Sequence, residues 1–439
     1  MRSYRKLIAA TALVAAATLG LAACSSDSGG DSETSEASGA KVLKLWHYEG
    51  EDSAMGIAWD KAIEIFKTEH PGVTVDFERK QFEQIQKNAA MILNSSEGPD
   101  IMEYNKGNAT AGLLSSQGLL TDLTADATKR GWDKKLTPSL QTTAKYDERG
   151  VMGSGNWYGV PNYGEFVTVY YNQDLFKKYD VKVPTTPEEL TAAMDTFVSK
   201  KVTPIGMGGA EYPAGQLFYQ LALSKADRTF VDNYELYKAP VDFKADPIKY
   251  GVDTFADWVN KGYISKESSS LKAEDMGVGF ISGKVPMIVS GSWWYGRFAA
   301  DIKFDWDTFL FPGNKLQAGS SGNLWVVPKN SKAKDLAADF IDITMRPEIQ
   351  DLLGESGGIP IAADPAKITD PKNKKLIEDF NTVNQADGLA FYPDWPVAGY
   401  YDVLVSGFQG LINGSKKPDQ VIDSISKPYQ EGVEEIKNS

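Results

Sequence analysis

Aromatic and acidic side chains alternate at several places where the sequence predicts loops. Flat aromatic rings stack on the apolar faces of sugars, and carboxylate and amide groups hydrogen-bond the surrounding hydroxyls. These residue types therefore point to a site for a polyhydroxylated small molecule. The candidate site residues are Tyr48, Glu49, Tyr104, Asn105, Glu165, Glu211, Tyr212, Trp293, Trp294, Asn323, Trp395, Tyr400 and Asp402.

Trp293 and Trp395 are the stronger aromatic candidates, because Gly, Ser, Asp and Pro surround them in the sequence. Aromatic residues also dominate protein cores, so a core position is the alternative for each of them. For Trp46, Trp59 and Trp258 the core is the favoured interpretation, because these residues lie within periodic helix or strand patterns.

Glu165 stands where a polar, aromatic loop passes into an apolar run typical of a buried strand. Three interpretations of its carboxylate remain open. It can be a solvated or ion-paired group, or an acceptor for ligand hydroxyls in a cleft. It can also be a catalytic carboxylate paired with Glu211 or Asp394, as in glycoside hydrolysis.

The elements that would hold these residues begin with strands at 42–46, 73–77 and 100–104, which alternate with amphipathic helices. Such alternation predicts an α/β fold with a parallel sheet. Ligands bind beyond the carboxyl ends of such strands, where the loops 47–52 and 104–108 lie. After the run that contains Glu165, a further helix is predicted, with Thr186 as N-cap, Pro187 in its first turn and Glu189 completing a capping box.

Composition excludes several classes of function. The 439 residues suggest two or three domain-sized units, and the net charge of -13 argues against nucleic-acid binding. Two histidines, His47 and His70, and the single cysteine exclude a three-histidine or Cys/His zinc site. No dinucleotide-binding, EF-hand or G-x-S-x-G motif occurs, so we expect no metal and no cofactor.

The N-terminus predicts export. Arg2, Arg5 and Lys6 precede an apolar stretch at 7–21, and Ala22-Ala23 lead to Cys24. We predict a lipoprotein signal peptide at 1–23 and a lipid anchor on Cys24; the alternative is a cleaved signal beside an incidental cysteine. Residues 24–40 are Ser/Gly/Asp/Glu-rich and predict a disordered tether.

Several motifs together resemble those of a known family, the sugar-binding branch (family 1, maltose-binding-protein-like) of the extracellular solute-binding lipoproteins of bacterial ABC importers. The motifs that carry the resemblance are Gly98-Pro99-Asp100-Ile101, the segments 170–176, 283–287 and 291–293, and the helix at 337–341 before Gln350.

The resemblance implies a two-lobe periplasmic-binding-protein-like α/β fold with crossing hinge strands and an interlobe cleft. The N-terminal lobe would comprise 41–162 plus 308–345, and the C-terminal lobe 163–307 plus 346–439. By matching motifs, Glu165 falls at the family's hinge-side sugar-binding glutamate, Trp293 at its stacking tryptophan and Tyr104 at an aromatic position of the first lobe. The acidic contact expected soon after Tyr104 is replaced here by Asn105 and Gly107.

The expected function is therefore that of a receptor, not an enzyme. It would be a monomer on the extracellular face of the membrane, anchored through Cys24, that binds an oligosaccharide and delivers it to the transmembrane subunits of an ABC permease. The alternatives are a secreted carbohydrate-active enzyme and a receptor of the same fold for a non-sugar solute. The site loops offer Lys106 and Arg297 but are mostly aromatic and acidic, which favours a neutral polyol.

Overall fold

A computed structural model of the chain describes residues 41–361 and 364–439. The predicted signal peptide at 1–23, the tether at 24–40 and the lipidation site Cys24 lie outside these residues. Within the two described ranges, no helix is both long enough and apolar enough to cross a bilayer.

Strands and helices alternate along the first part of the chain, and helices dominate the second. The strands are β1 (Lys41–His47), β2 (Val73–Arg79), β3 (Ile101–Tyr104), β4 (Lys145–Tyr146), β5 (Asn156–Trp157), β6 (Val160–Pro161), β7 (Tyr163–Asn172), β8 (Ile205–Gly206), β9 (Met287–Gly291), β10 (Trp306–Phe309), β11 (Gly319–Ser321), β12 (Leu324–Val326) and β13 (Ile359–Pro360). The α-helices are α1 (Ala54–Glu69), α2 (Phe82–Asn94), α3 (Leu113–Ser116), α4 (Thr124–Arg130), α5 (Trp132–Lys135), α6 (Pro138–Gln141), α7 (Gln173–Lys178), α8 (Pro187–Ser199), α9 (Pro213–Leu223), α10 (Arg228–Leu236), α11 (Ile248–Asn260), α12 (Ala273–Ile281), α13 (Tyr295–Asp301), α14 (Lys334–Thr344), α15 (Pro347–Glu355), α16 (Pro371–Gln385), α17 (Tyr400–Ile412) and α18 (Pro418–Asn438).

The first sheet has the strand order β2-β1-β3-β12-β6. Strand β1 runs parallel to both β2 and β3, as the alternation of strands and helices predicts. Strand β12 instead runs antiparallel to β3 and β6, with Leu324 opposite Tyr104. The sheet is therefore mixed, because β12 comes from a distant part of the chain and no single crossover helix fixes its direction.

The second sheet is built around β7, whose ten residues are all buried. Its order is β10-β7-β9-β8, and β11 and β13 pair with the first part of β7. Glu165 lies inside β7, opposite Ser320 of β11, and not in a loop. The rigid strand therefore fixes the position of this carboxylate.

Two helix starts follow from side-chain capping. Ser53 accepts a 2.9 Å hydrogen bond from the amide of Gly56 and begins α1. Thr186 caps α8 and Pro187 follows it, as predicted. The carboxylate of Glu189, however, accepts from the amide of Thr185 at 2.7 Å, one residue before the position that a capping box requires.

The aromatic core under α1 joins that helix to the first sheet. Trp59 is fully buried and lies 5.8 Å from the ring of Trp325. Trp258 on α11 is also buried, in agreement with the sequence-based interpretation. Trp46 is half-buried, and the Lys80 ammonium lies 4.0 Å from its ring centroid.

Candidate functional site

A buried ion pair lies at the centre of the candidate site. Lys106 follows β3, Glu165 lies in β7, and Asn323 directly precedes β12. The Lys106 ammonium donates to Glu165 Oε1 and, at 2.9 Å, to Asn323 Oδ1. The exposed fractions of the Lys106 and Glu165 side chains are 2% and 5%. Three segments from the two sheets thus meet at one ammonium group.

An aromatic wall borders this ion pair. The Lys106 ammonium lies 5.4 Å from the ring centroid of Trp395 and 5.6 Å from that of Tyr392, within cation–π distance. The Tyr392 ring in turn lies 6.2 Å from Trp293, and Trp293 lies 5.8 Å from Tyr212. Trp293 and Tyr212 are only partly buried, so the aromatic wall extends from the buried ion pair towards solvent.

Tyr212 links the two tryptophans that follow β9. Its hydroxyl accepts hydrogen bonds from Trp293 Nε1 at 3.2 Å and Trp294 Nε1 at 3.3 Å. Burial raises the pKa of Tyr212 to about 12, so the phenol keeps its proton at neutral pH. Tyr212 can therefore hold both indoles and still donate one hydrogen bond.

Two further carboxyl groups, Glu49 and Glu103, lie close to Lys106. Burial raises the pKa of Glu49 to about 7, and the charge of Glu165 is the second cause. Burial and the Glu49 charge raise the pKa of Glu103 well above its usual range. Neither oxygen of Glu103 has a hydrogen-bond partner among the described residues. A proton held on one of these two carboxyls supplies the missing donor.

Asp394 is a third carboxyl group near the ion pair: burial raises its pKa to about 6, while the positive charge of Lys106 opposes this shift. Nearby, the Tyr401 hydroxyl donates to Glu83 Oε1 at 2.6 Å. Glu83 is in the first turn of α2 and Tyr401 is in α17, so this bond joins two elements that are far apart in the chain.

Hydrogen bonds from its backbone and from the Asn108 side chain hold the loop after β3 in place. The Gly107 amide donates to the Tyr146 hydroxyl at 3.0 Å, and the Ala109 amide donates to the carbonyl of Trp395 at 2.8 Å. Asn108 donates to the Tyr237 hydroxyl at 2.9 Å. These bonds fix the direction in which Lys106 leaves the loop.

Most of the sequence-predicted residues gather near Lys106. Glu165, Asn323 and Trp395 contact its ammonium, and Asn105 Oδ1 accepts from its backbone amide at 3.0 Å. Trp293, Trp294 and Tyr212 form one aromatic group. Burial raises the pKa of Tyr48 well above its usual range, and the nearby Glu49, Glu165 and Tyr104 add to this shift.

Three predicted residues have other surroundings. Glu211 accepts from the amide of Ala273 at 2.8 Å and so satisfies the start of α12. The buried Tyr400 donates to the carbonyl of Ile425 at 3.0 Å. Asp402 is exposed on α17. None of these contacts joins the group around Lys106.

Sequence reasoning did not include Lys106, Tyr392, Glu103 or Asp394 among the site residues. The sequence indicates Lys106 only as a loop cation and Asp394 only as a potential partner of Glu165. Glu103 could have been recognised as unusual, because it is a carboxylate within the short buried strand β3. Nothing in the sequence around Tyr392 indicated its position beside the ion pair.

Comparison with known families decides the class of protein. The model of the bacterial extracellular solute-binding protein family matches residues 49–351. The chain belongs to this family. The resemblance found in its motifs is thereby confirmed, and the family's name places such proteins outside the cell membrane.

Individual relatives agree with this assignment. The chain is similar to a probable sugar-binding periplasmic protein of Rhizobium meliloti (strain 1021), with 25% identity over 75% of this chain and 78% of the relative. It is also similar to the maltodextrin-binding protein MdxE of Bacillus subtilis (strain 168), with 27% identity over 74% and 73% of the two chains. These relatives are solute-binding proteins.

The structural comparison concerns the fold alone. A solved chitin oligosaccharide binding protein superposes with a TM-score of 0.77 over 90% of this chain and 99% of its own, at 21% identity. The expected two-lobed α/β solute-binding fold is therefore confirmed.

Proposed function

We propose that this protein is the substrate-binding component of an ABC importer and that it captures a neutral oligosaccharide between two lobes. The observation that carries the proposal is the ion pair of Lys106 and Glu165, bordered by an aromatic wall that reaches solvent at Trp293. An array of hydrogen-bonding groups beside stacking rings fits a sugar, whose faces are apolar and whose rim is polar. The relatives are named as sugar-binding and maltodextrin-binding proteins, which supports the same ligand class.

The proposed capture mechanism is closure of two lobes, at 41–162 plus 308–345 and at 163–307 plus 346–439. The segment 392–395 of the second lobe lies against Lys106 of the first lobe. Tyr401 of the second lobe likewise bonds Glu83 of the first lobe. A ligand that contacts both lobes stabilises the closed arrangement by contacts that the open arrangement lacks. In this mechanism the aromatic rings supply much of the affinity, and the polar groups select the sugar.

Export and anchoring complete the proposal. The basic start of the chain, its apolar stretch at 7–21 and Cys24 support a lipoprotein signal and a lipid anchor, such as palmitate, on that cysteine. The protein would then act as a monomer at the outer face of the membrane and deliver its ligand to permease subunits there. Chemical conversion of the ligand is not expected.

A carbohydrate-active enzyme is the second candidate, because one observation favours it. The raised pKa values of Glu49, about 7, and Asp394, about 6, suit a general acid beside the carboxylate of Glu165. Against this, the Lys106 ammonium, which also donates to Asn323, occupies Oε1 of Glu165, and Glu211 is used at the start of α12. These contacts favour binding over catalysis.

A thermal-shift screen of residues 40–439 against mono- and oligosaccharides tests the proposal. A ligand at about 100 times its Kd should add about 2.7 kcal/mol to the free energy of unfolding. Trp293→Ala and Tyr212→Ala should abolish the shift. The control is Tyr250→Ala, which changes a half-buried tyrosine of α11 and should leave the thermal shift unchanged.

The other outcomes separate the alternatives. If a sugar stabilises the protein and is recovered unchanged, the receptor is supported. If the sugar is hydrolysed, the enzyme is the correct assignment. If amino acids, peptides or anions stabilise the protein and sugars do not, the fold stands but the sugar ligand is wrong.

A further inference from the structure

The surroundings of the Lys106 ammonium form a complete cage for a positive charge. Glu165 supplies a carboxylate oxygen, Asn323 an amide oxygen at 2.9 Å, and Tyr392 and Trp395 supply two ring faces at 5.6 and 5.4 Å. All four side chains are buried. Carboxylates and aromatic faces are the groups that recognise ammonium ions in proteins. The cage is filled by a side chain of the protein itself.

The charges of Lys106 and Glu165 balance each other inside this cage. Lys106 and Glu165 form an ion pair, so together they carry no net charge. Glu49 and Glu103 are the carboxyls that approach from the first sheet, and burial shifts the pKa of each towards the neutral form. The ion pair itself therefore offers a ligand neither an unpaired ammonium nor an unpaired carboxylate.

We propose that Lys106 is a specificity-determining residue, which occupies an ammonium cage in front of Glu165 and so makes the site select neutral sugars over amino sugars and sugar acids. This inference rests on the proposed function. It assigns ligand choice to a lysine whose side chain is only 2% exposed and which acts through the carboxylate that it neutralises.

The proposal predicts that the charge preference of the site follows the balance of this one pair. Lys106→Met leaves the Glu165 carboxylate beside two ring faces, which suits a ligand ammonium group. Glu165→Gln leaves the Lys106 ammonium beside an amide, which suits a ligand carboxylate. A variant with both substitutions has neither charge and should return to neutral sugars.

The first experiment measures Kd by calorimetry for β-1,4-linked trisaccharides of glucose, glucosamine and glucuronic acid, and for maltotriose and the three free monosaccharides. The wild type should favour the glucose forms at least tenfold. Lys106→Met should shift the glucosamine-to-glucose ratio at least tenfold towards glucosamine, and Glu165→Gln should shift the ratio towards glucuronate. The control is Lys372→Met, since Lys372 lies 5.0 Å from the Trp306 ring and donates to the Trp306 carbonyl.

The second experiment does not depend on sugar linkage. Lys106→Ala removes three carbons and the ammonium group, which n-propylammonium can replace. Millimolar n-propylammonium should raise the Tm of Lys106→Ala by several degrees and leave the wild type and Lys372→Ala unchanged. The variant with both Lys106→Ala and Glu165→Gln should not respond, and it remains available for comparison if the single variant unfolds.

The results distinguish a failure of the inference about Lys106 from a failure of the proposed function. If the wild type binds a neutral sugar but the ratios are the same in Lys106→Met and Lys372→Met, the inference is wrong and the proposed function stands. If no sugar binds any variant, the proposed function fails. The n-propylammonium response then still decides whether the cage recognises an ammonium ion. Lack of that response in a folded Lys106→Ala overturns the cage.

Discussion

The indole ring of Trp395 lies directly against the α-carbon of Gly107. A Cβ atom on Gly107 would come within 2.6 Å of Cγ of Trp395, and the φ angle of Gly107 is +104°. The residue beside Lys106 therefore has to be glycine for two reasons, its backbone conformation and the space it leaves. This contact fixes both the loop that carries Lys106 and the ring that borders it.

Gly107→Ala should lower the free energy of unfolding by about 2 kcal/mol or more, because it adds a steric clash to the strain of a positive φ angle. Urea unfolding gives the value. Gly118→Ala is the matched control, since Gly118 has a φ of +68° and open space around its α-carbon. Equal losses in the two variants would mean that the Trp395 contact contributes nothing.

Glu235→Gln should stabilise the protein, and the gain should grow with pH. Glu235 is fully buried, and neither of its carboxyl oxygens has a partner in the part of the chain that the structure describes. Burial raises its pKa well above the usual range, with the charge of Asp394 as second cause. The wild type should therefore lose about 1.4 kcal/mol of stability for each pH unit above the unfolded-state pKa of about 4.3, until the folded-state pKa is reached.

The measurement is urea unfolding of wild type and Glu235→Gln at pH 4.5, 6 and 7.5. The glutamine cannot ionise, so the two proteins should be close in stability at pH 4.5 and diverge as the pH rises. Glu434→Gln, at an exposed position on α18, is the control and should show a constant difference. A constant difference for Glu235→Gln as well would mean that Glu235 does not take up a proton on folding.

Sugar binding should weaken as the pH falls from 8 to 5. The raised pKa values of Glu49, about 7, and Asp394, about 6, place the loss of their ionised forms in this range. A carboxylate accepts hydrogen bonds from ligand hydroxyls more strongly than a protonated carboxyl does. Calorimetric Kd values at half-unit pH intervals should show the affinity falling first through pH 7 and then through pH 6.

Glu49→Gln should remove the upper part of this pH profile, and Asp394→Asn the lower part. Histidine is not responsible near the site, because burial lowers the pKa of His47 to about 3 and leaves it neutral throughout. His70→Gln, at the end of α1, is the control and should leave the profile unchanged. A pH-independent affinity in the wild type would exclude both carboxyls from ligand binding.

The fold could be predicted where the contacts are local. The alternation of apolar residues in β2 and the helical spacing of Ala58, Ala62 and Phe66 in α1 fix the parallel start of the first sheet. The antiparallel strand β12 could not be placed in this way. It pairs Leu324 with Tyr104, and neither local pattern nor turn chemistry connects positions so far apart.

The candidate site shows the same limit. Residue type was enough to select Glu165, Trp293 and Trp395, because acids and aromatic residues in such surroundings suit a sugar. The role of Lys106 depends on Asn323, which is 217 positions away, and on the loop conformation at Gly107. Since these contacts form only in the folded chain, the sequence could not distinguish a solvated loop lysine from a caged one.

Tyr401→Phe should weaken ligand binding about tenfold through the loss of a bond between the proposed lobes, not of a contact with the ligand. The Tyr401 hydroxyl donates to Glu83 Oε1 at 2.6 Å, between α17 and α2, which belong to different proposed lobes. A hydrogen bond to a charged group contributes about 1.5 kcal/mol, and a bond present only in the closed form adds this amount to the apparent binding energy. Small-angle scattering should show a larger radius of gyration for the variant, and calorimetry should show the weaker Kd. Tyr250→Phe, on α11 alone, should change neither quantity, and an unchanged Kd in Tyr401→Phe would mean that this bond does not depend on closure.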